Sequence, residues 1–99
     1  MIEFEWDNRN FKHIVEDYPE RGNTVEEVES IFLDPHLIAE KGRTIEGEQR
    51  FNALGIGISG AVKFVVYAVN NDIIRPISCW PANKQNIRKY ENTKRRKGS

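Results

Sequence analysis

Six polar side chains in this sequence have the types that proton transfer at a phosphodiester requires. They fall near the predicted ends of strands and helices, and they are the candidate catalytic residues: His13, Glu48, Arg50, Arg75, Ser78 and Tyr90. Cleavage of RNA without a metal needs a base for the 2′-hydroxyl, an acid for the leaving 5′-oxygen and cations for the phosphate. Histidine, glutamate, tyrosine and arginine can fill those roles.

Each candidate also has a structural interpretation. His13 can be a surface or packing histidine on the flank of a helix. Glu48 and Arg50 lie two residues apart on a predicted strand and can simply pair with each other. Arg75 stands among apolar residues, so it either faces solvent or reaches a defined anion. Tyr90 can stack on a base or anchor the last helix to the core.

Basic residues concentrate at the carboxyl end of the chain. Residues 1–50 contain 6 basic and 13 acidic side chains, whereas residues 84–99 contain 7 basic and 1 acidic. This charge split indicates an anionic partner for the basic end, although residues 94–97 can also be only a solubilising tail. The residues that we expect to bind RNA are Lys12, Trp80, Lys84, Arg88, Lys89, Lys94, Arg95, Arg96 and Lys97.

Several classes of protein are disfavoured by what the sequence contains. The single cysteine, Cys79, can neither form an internal disulfide nor build a zinc site alone, and no other metal motif or cofactor motif is present. The glycines over 55–60 precede a strand rather than open a helix, which favours a hairpin over a dinucleotide site. No apolar run approaches the roughly 18 residues of a membrane span, so we expect a cytoplasmic protein without membrane partners.

The amino-terminal half predicts a short strand over 2–6 followed by two helices. The first helix spans about 8–17, with Asp7 or Asn8 as its cap. The second begins at Thr24 in a capping box with Glu27 and ends before Asp34.

The carboxyl-terminal half predicts mainly strands, over 50–56, 61–69 and 73–78, with a tight turn at 70–72. Residues 37–39 can form a further short strand, and 41–47 resemble a loop. Pro76 predicts a sheet edge or a bulge, and Asn83 caps a last helix over about 84–94. We therefore expect an α+β fold, with an antiparallel sheet of about four strands, two amino-terminal helices and one carboxyl-terminal helix. The helices should pack on one face, in one domain over 1–93 with a basic tail over 94–99.

A family resemblance extends over nearly the whole chain. The sequence resembles BrnT-type toxins, which are RelE-like ribonucleases of bacterial toxin–antitoxin pairs. The segments that carry the resemblance are Phe4–Asp7, Asn10, His13–Ile14, Gly22–Glu29, Phe32, Asp34–Pro35, Glu48, Arg50, Ala53–Gly55, Gly60, Phe64–Tyr67, Ile74–Ser78 and Lys89–Glu91.

The resemblance implies a RelE-like fold, cleavage of mRNA and a cognate, DNA-binding antitoxin of the BrnA type. The sequence departs from the family pattern in three places. Cys79-Trp80 stands where Ala-Arg is usual, and Asn86 stands where a glutamate is usual. A basic residue is also common at the two positions before Gly22, and of Glu20 and Arg21 only Arg21 satisfies that. Loss of one preorganised cation costs about 10²–10³ in rate. The alternative is therefore a catalytically weakened relative that acts as a protein- or RNA-binding module.

Overall fold

The computed structural model describes residues 2–97, except for the side chain of Lys97. Its elements in chain order are β1 (Glu3–Phe4), α1 (Asn8–Phe11), a π-helical turn (Lys12–Glu16), a 3-10 turn (Pro19–Arg21), α2 (Val25–Ile31), β2 (Ile38–Ile45), β3 (Glu48–Ile56), β4 (Val62–Asn70), β5 (Ile73–Pro81) and α3 (Lys84–Lys97). The predicted α+β class is confirmed. Within residues 2–97, each helix is too short or too polar to cross a membrane.

The sheet has five strands in the order β1-β5-β4-β3-β2. Strands β2 to β5 form an antiparallel meander, and β1 adds to β5 in parallel through two residue pairs. Our expectation of about four antiparallel strands is thus short by one strand and wrong for the orientation of β1. The loop predicted over 41–47 is wrong for residues 41–45, which belong to β2. Because β2 is an edge strand with mostly exposed side chains, it lacks the alternating apolar pattern that indicates a strand.

The two amino-terminal helices start at caps that local sequence predicts. The Asp7 carboxylate accepts hydrogen bonds from the backbone of Arg9 and Asn10, and the Asn10 side chain accepts one from Asp7 N. The expected regular helix to residue 17 instead widens into the π-helical turn after Phe11. Thr24 caps α2 by accepting from Glu27 N at 3.0 Å. The reciprocal half of that capping box is absent, because the Glu27 carboxylate accepts from Ser59 and pairs with Lys63 instead.

The main core lies between one face of the sheet and the amino-terminal helices. It consists of Ile14, Val28, Ile31, Phe32, Ala53, Val65, Tyr67 and Cys79. α3 packs on the other face, where Asn86 borders a small cavity with Leu54 and Phe64, which alternate along their strands with Ala53 and Val65. The prediction that all helices share one face is therefore wrong for α3. The central strands carry apolar side chains on both faces, so both need cover.

Two irregularities shape β5 and its hairpin. Asn71 and Asp72 have φ values of 53° and 65°, which form the predicted tight turn between β4 and β5. Tyr67 pairs with Pro76 and Val66 pairs with Ser78, so Ile77 is one extra residue in β5. This bulge beside Pro76 is one of the two outcomes that the proline predicted.

The last helix begins where predicted and ends later. The Asn83 side chain accepts from Asn86 N at 2.8 Å, which confirms Asn83 as the cap. α3 then continues to Lys97, so residues 94–97 of the predicted tail form its last turn. Residues 98–99 of that tail lie outside the described residues.

Candidate functional site

The sheet face opposite the main core carries three rows of side chains that strand pairing aligns. We call it the site face, and it is defined by Arg50, Arg75, Ser78 and Trp80. The first row joins Arg50 and Arg75 through Ala68, the second joins Asn52 and Ser78 through Val66, and the third joins Leu54 and Trp80 through Phe64. Successive positions on this face are two residues apart along each strand, which is the normal pleat.

The bulge at Ile77 is what brings Arg75 and Ser78 onto the same face. Two residues three positions apart point to opposite faces of a regular strand. The extra residue restores the alternation, so Arg75 sits opposite Ala68 and Ser78 sits opposite Val66. The guanidinium groups of Arg50 and Arg75 and the hydroxyl of Ser78 therefore lie in neighbouring rows of the site face.

A cavity of about 620 Å³ opens at the arginine end of the site face. Its lining residues are Asp7, Arg9, Asn10, His13, Ile45, Glu46, Glu48, Arg50, Arg75 and Ile77. Four of the six candidate catalytic residues thus meet in one cavity, namely His13, Glu48, Arg50 and Arg75. Ser78 is joined to them through a hydrogen bond to His13.

His13 is held at the cavity by the first helix and β5. The Asn10 amide donates to Glu5 O and Pro76 O, both at 3.0 Å, and thereby ties α1 to the part of β5 that β1 does not cover. The following π-helical turn, a feature frequent at functional sites, presents the imidazole. His13 Nε2 lies 3.1 Å from Ser78 Oγ, and its ring meets Tyr18 edge-on at 5.5 Å. The imidazole is half-buried and oriented from two sides.

Glu48 joins the two arginines of the first row. Arg75 Nη2 lies 2.7 and 2.9 Å from the two Glu48 oxygens, and Arg50 Nε lies 3.4 Å from Oε1. Hydrogen bonding from Arg75 holds the pKa of Glu48 below its usual value. An ionised carboxylate with a lowered pKa is a weak base, so Glu48 is better suited to orient Arg75 and Arg50 than to take a proton. Arg75 reaches a defined anion, as one of its two sequence interpretations required.

The charges that line the cavity are formally balanced. The cations are Arg9, Arg50 and Arg75, and the anions are Asp7, Glu46 and Glu48. A phosphate that approaches Arg75 must compete with Glu48 for its guanidinium. Electrostatic attraction for an anion at this end of the face is therefore weaker than the number of arginines suggests.

Comparison with known families agrees with the resemblance found in the sequence. A family model described as a ribonuclease toxin, BrnT, of type II toxin–antitoxin systems matches residues 6–86. The chain belongs to the BrnT family. The match includes the cavity residues His13, Glu48, Arg50 and Arg75, whereas Tyr90 and the last turn of α3 lie beyond it. No protein of curated function matches the sequence. Membership in a family of type II toxins implies a cognate antitoxin.

Tyr90 lies apart from the other candidate catalytic residues of this BrnT-family chain. Its side chain is 1% exposed, and its hydroxyl donates to Asp34 Oδ2 at 2.5 Å. Burial and the neighbouring Asp34 carboxylate raise the pKa of Tyr90 far above its usual value. Burial also raises the pKa of Asp34, but hydrogen bonds from Tyr90 and from backbone amides outweigh it and lower that pKa overall. This geometry matches the interpretation of Tyr90 as the anchor of α3.

Trp80 and Lys12 occupy different surroundings at the surface. The Trp80 ring stacks on Phe64 at 4.9 Å in the third row of the site face. Arg21 fits the family pattern of a basic residue before Gly22, but it was not among the residues predicted to bind RNA. Its guanidinium lies 3.7 Å from the centre of the Tyr18 ring and 5.9 Å from that of Trp80, and it donates to Cys79 O of β5. Lys12 is exposed and pairs with Asp17 at 2.6 Å.

The remaining predicted RNA-binding residues lie on α3. Those with described side chains are all exposed, and they are Lys84, Arg88, Lys89, Lys94, Arg95 and Arg96. Lys89 forms an ion pair with Glu40 of β2. The side chain of Lys97 lies outside the described residues. α3 borders the same sheet face that carries the cavity, because Asn86 and Lys89 line a small cavity together with Asn52, Leu54 and Phe64.

The described residues contain neither a cluster of metal ligands nor a cysteine suited to act as a nucleophile. Within residues 2–97, no three side chains of histidine, cysteine, aspartate or glutamate converge as metal ligands do. Burial raises the pKa of Cys79 to about 12, so its thiol stays protonated at neutral pH and is unsuited to attack.

Proposed function

We propose that this BrnT-family chain is an endoribonuclease that cleaves RNA at the cavity by proton transfer, without a metal. The observation that carries the proposal is the His13–Ser78 hydrogen bond beside Arg75 on one sheet face. A base takes the proton of a 2′-hydroxyl, whose oxygen attacks the adjacent phosphorus. The bond to the 5′-oxygen breaks as that oxygen gains a proton. The products are a 2′,3′-cyclic phosphate and a 5′-hydroxyl.

Each side chain has a role that its surroundings support. His13 transfers a proton, because its imidazole is half-buried and borders the cavity. Arg75 and Arg50 neutralise the phosphate in the transition state, with Glu48 holding both guanidinium groups in place. Ser78 fixes the orientation of His13, and Trp80 offers a surface for a base. The first and third rows of the site face contain Arg50 and Leu54 of β3, which are four residues apart. The three rows therefore extend over about 13 Å along the strand.

We further propose that the cognate antitoxin is a BrnA-like, DNA-binding protein that neutralises the activity. The α3 cations border the site face and supply the sequence-independent attraction for RNA that the balanced cavity lacks. A partner that covers α3 therefore weakens substrate binding without entering the cavity.

Replacing Arg75 with alanine tests the proposed function. We expect the cleavage rate to fall by about 10²–10³-fold, because one preorganised cation at the phosphate is lost. Primer extension on RNA incubated with purified protein measures it, and expression without the antitoxin should no longer arrest growth. Arg43→Ala is the matched control, because Arg43 is exposed on β2 and lies outside the cavity. Intact RNA after incubation with folded wild-type protein would refute the proposal.

A second candidate function is an RNA- or protein-binding module with little cleavage. The observation that favours it is the Glu48 carboxylate, which already occupies the guanidinium of Arg75. Under this reading the balanced cavity binds phosphate too weakly for efficient catalysis. The two functions differ in what removal of the Glu48 charge should do.

Replacing Glu48 with glutamine should tighten RNA binding about fivefold at low salt, because about 1 kcal/mol of competition for Arg75 is lost. Fluorescence anisotropy with a 2′-deoxy-substituted oligonucleotide, which cannot be cleaved, measures the Kd. Glu26→Gln is the control, because it removes the same charge from an exposed position on α2. Faster cleavage by Glu48→Gln would indicate a weakened ribonuclease, whereas slower cleavage with tighter binding would give Glu48 a part in the reaction. Unchanged affinity would mean that Arg75 does not bind phosphate.

A further inference from the structure

A second groove lies between the end of α2 and the turn that follows β3. It has a volume of about 490 Å³, and Leu33, Pro35, Ile58 and Lys94 contribute to its lining. Leu33 is 72% exposed and Ile58 is 73% exposed, whereas the other exposed large apolar side chains of the described chain reach at most 42%. Two large apolar side chains are thus displayed to solvent together, where a binding partner would bury them.

The backbone beneath these two side chains is firmly held. Leu33 N donates to Ser30 O and Ile58 N donates to Ser30 Oγ, both at 3.0 Å. Gly57 packs so closely on α2 that an added Cβ would lie 2.5 Å from Glu27 Oε1 and 2.6 Å from Ser30 Oγ. Leu33 and Ile58 are therefore presented by an ordered surface, which lowers the entropy cost of binding.

The charge at the rim of the groove restricts what can occupy it. Lys94 lines the groove, and it belongs to a helix with seven basic residues and one acidic residue. An apolar segment flanked by acidic side chains complements this combination. A second copy of the chain would bring two basic helices together, which charge repulsion opposes. The apolar side chains offer little to an RNA backbone, which attracts cations.

We infer that this groove, defined by Leu33, Pro35, Ile58 and Lys94, is the docking site for an acidic, apolar-anchored segment of the cognate antitoxin. The inference rests on the antitoxin that family membership implies and on the neutralisation proposed above. The segment buries Leu33 and Ile58 and pairs with the basic end of α3. It thereby covers cations that attract RNA while leaving the His13 cavity open.

The test uses the full chain and its cognate antitoxin, which is first identified as the protein that co-purifies with the chain from its native host. Leu33→Glu and Ile58→Glu should each weaken the complex by about tenfold or more in a calorimetric titration, because a charge enters an apolar contact beside an acidic segment. Val69→Glu is the matched control, because Val69 is 42% exposed and lies outside the groove. Lys94→Glu should also weaken binding, whereas Lys94→Arg should not. Circular dichroism verifies that each variant is folded.

Each outcome separates this inference from the proposed ribonuclease function. Loss of antitoxin binding by Leu33→Glu and Ile58→Glu with RNA cleavage at the wild-type rate would support the docking site, and so would their loss of antitoxin binding if the wild-type protein cleaves no RNA. Wild-type affinity in both glutamate variants, or no complex with the wild-type chain, would overturn it. Self-association of the chain that Leu33→Glu abolishes would also overturn it, because the occupant would then be a second copy.

Discussion

Replacing His13 with alanine should lower the rate of RNA cleavage by about 10²–10⁴-fold while leaving RNA affinity nearly unchanged. The imidazole is the group in the cavity best suited to proton transfer, because Glu48 is committed to Arg75 and Arg50. Ser78 holds the ring at 3.1 Å, so its orientation does not have to be acquired when RNA binds. Arg50 and Arg75, which we propose to bind the phosphate, remain in the variant, and RNA binding should therefore survive.

Single-turnover cleavage at saturating protein measures the chemical step for the wild type and for His13→Ala. His36→Ala is the matched control, because His36 is the other histidine and does not line the cavity. A substrate with sulfur in place of the 5′-oxygen needs no proton on its leaving group. Rescue of His13→Ala by this substrate would make His13 the acid, and a persistent defect would make it the base. A residual rate within a factor of about three of the wild type would exclude His13 from proton transfer.

Replacing Lys63 with methionine should lower the free energy of unfolding by about 3–5 kcal/mol. Lys63 and Glu27 are 3% and 2% exposed, and their charged groups lie 3.1 Å apart. Lys63 Nζ also donates to Asn23 Oδ1 at 2.8 Å and to Arg21 O at 3.1 Å. The variant keeps the volume of the side chain but leaves a buried carboxylate without its cation. It should also loosen the segment that carries Arg21.

Chemical denaturation followed by circular dichroism measures the loss of stability. Lys89→Met is the matched control, because it removes an ion pair with Glu40 at the surface and should cost less than about 1 kcal/mol. Burial raises the pKa of Glu27, but hydrogen bonds from Ser59 and the nearby Lys63 outweigh it and lower that pKa overall. The resulting stabilisation is complete above the unfolded pKa and is lost as the pH falls through the folded one. Because Lys63→Met lacks that stabilisation, the difference in unfolding free energy between the wild type and the variant should shrink as the pH falls through the folded pKa of Glu27. Equal losses in the two methionine variants would contradict the buried network.

Local sequence signals predicted the features that are local in the structure. The caps Asp7, Thr24 and Asn83 depend on hydrogen bonds within three residues. The turn at Asn71 and Asp72 depends on the tolerance of those residue types for positive φ. The sequence also predicted membership in the BrnT family, which the family-model match over residues 6–86 confirms.

Predictions that depended on the surroundings of an element were less successful. β2 has a polar sequence because it is an exposed edge strand, so its pattern resembles that of a loop. α3 packs on the sheet face opposite the main core because β3 and β4 carry apolar side chains on that face too. The apolar periodicity within α3 does not indicate on which face of the sheet the helix packs. Glu27 has the correct spacing for a capping box, yet packing directs its carboxylate to Lys63.

The sequence by itself determined which side chains are available for chemistry and where most of the elements begin. Only the tertiary structure decided which of those side chains meet. The contact between His13 and Ser78 spans 65 residues, and Tyr90 is drawn away to Asp34 by the docking of α3. One inserted residue, Ile77, turns Arg75 and Ser78 onto the same face. Caps and turns are set by hydrogen bonds between near neighbours, whereas the face on which a strand residue lies depends on register and bulges along the whole sheet.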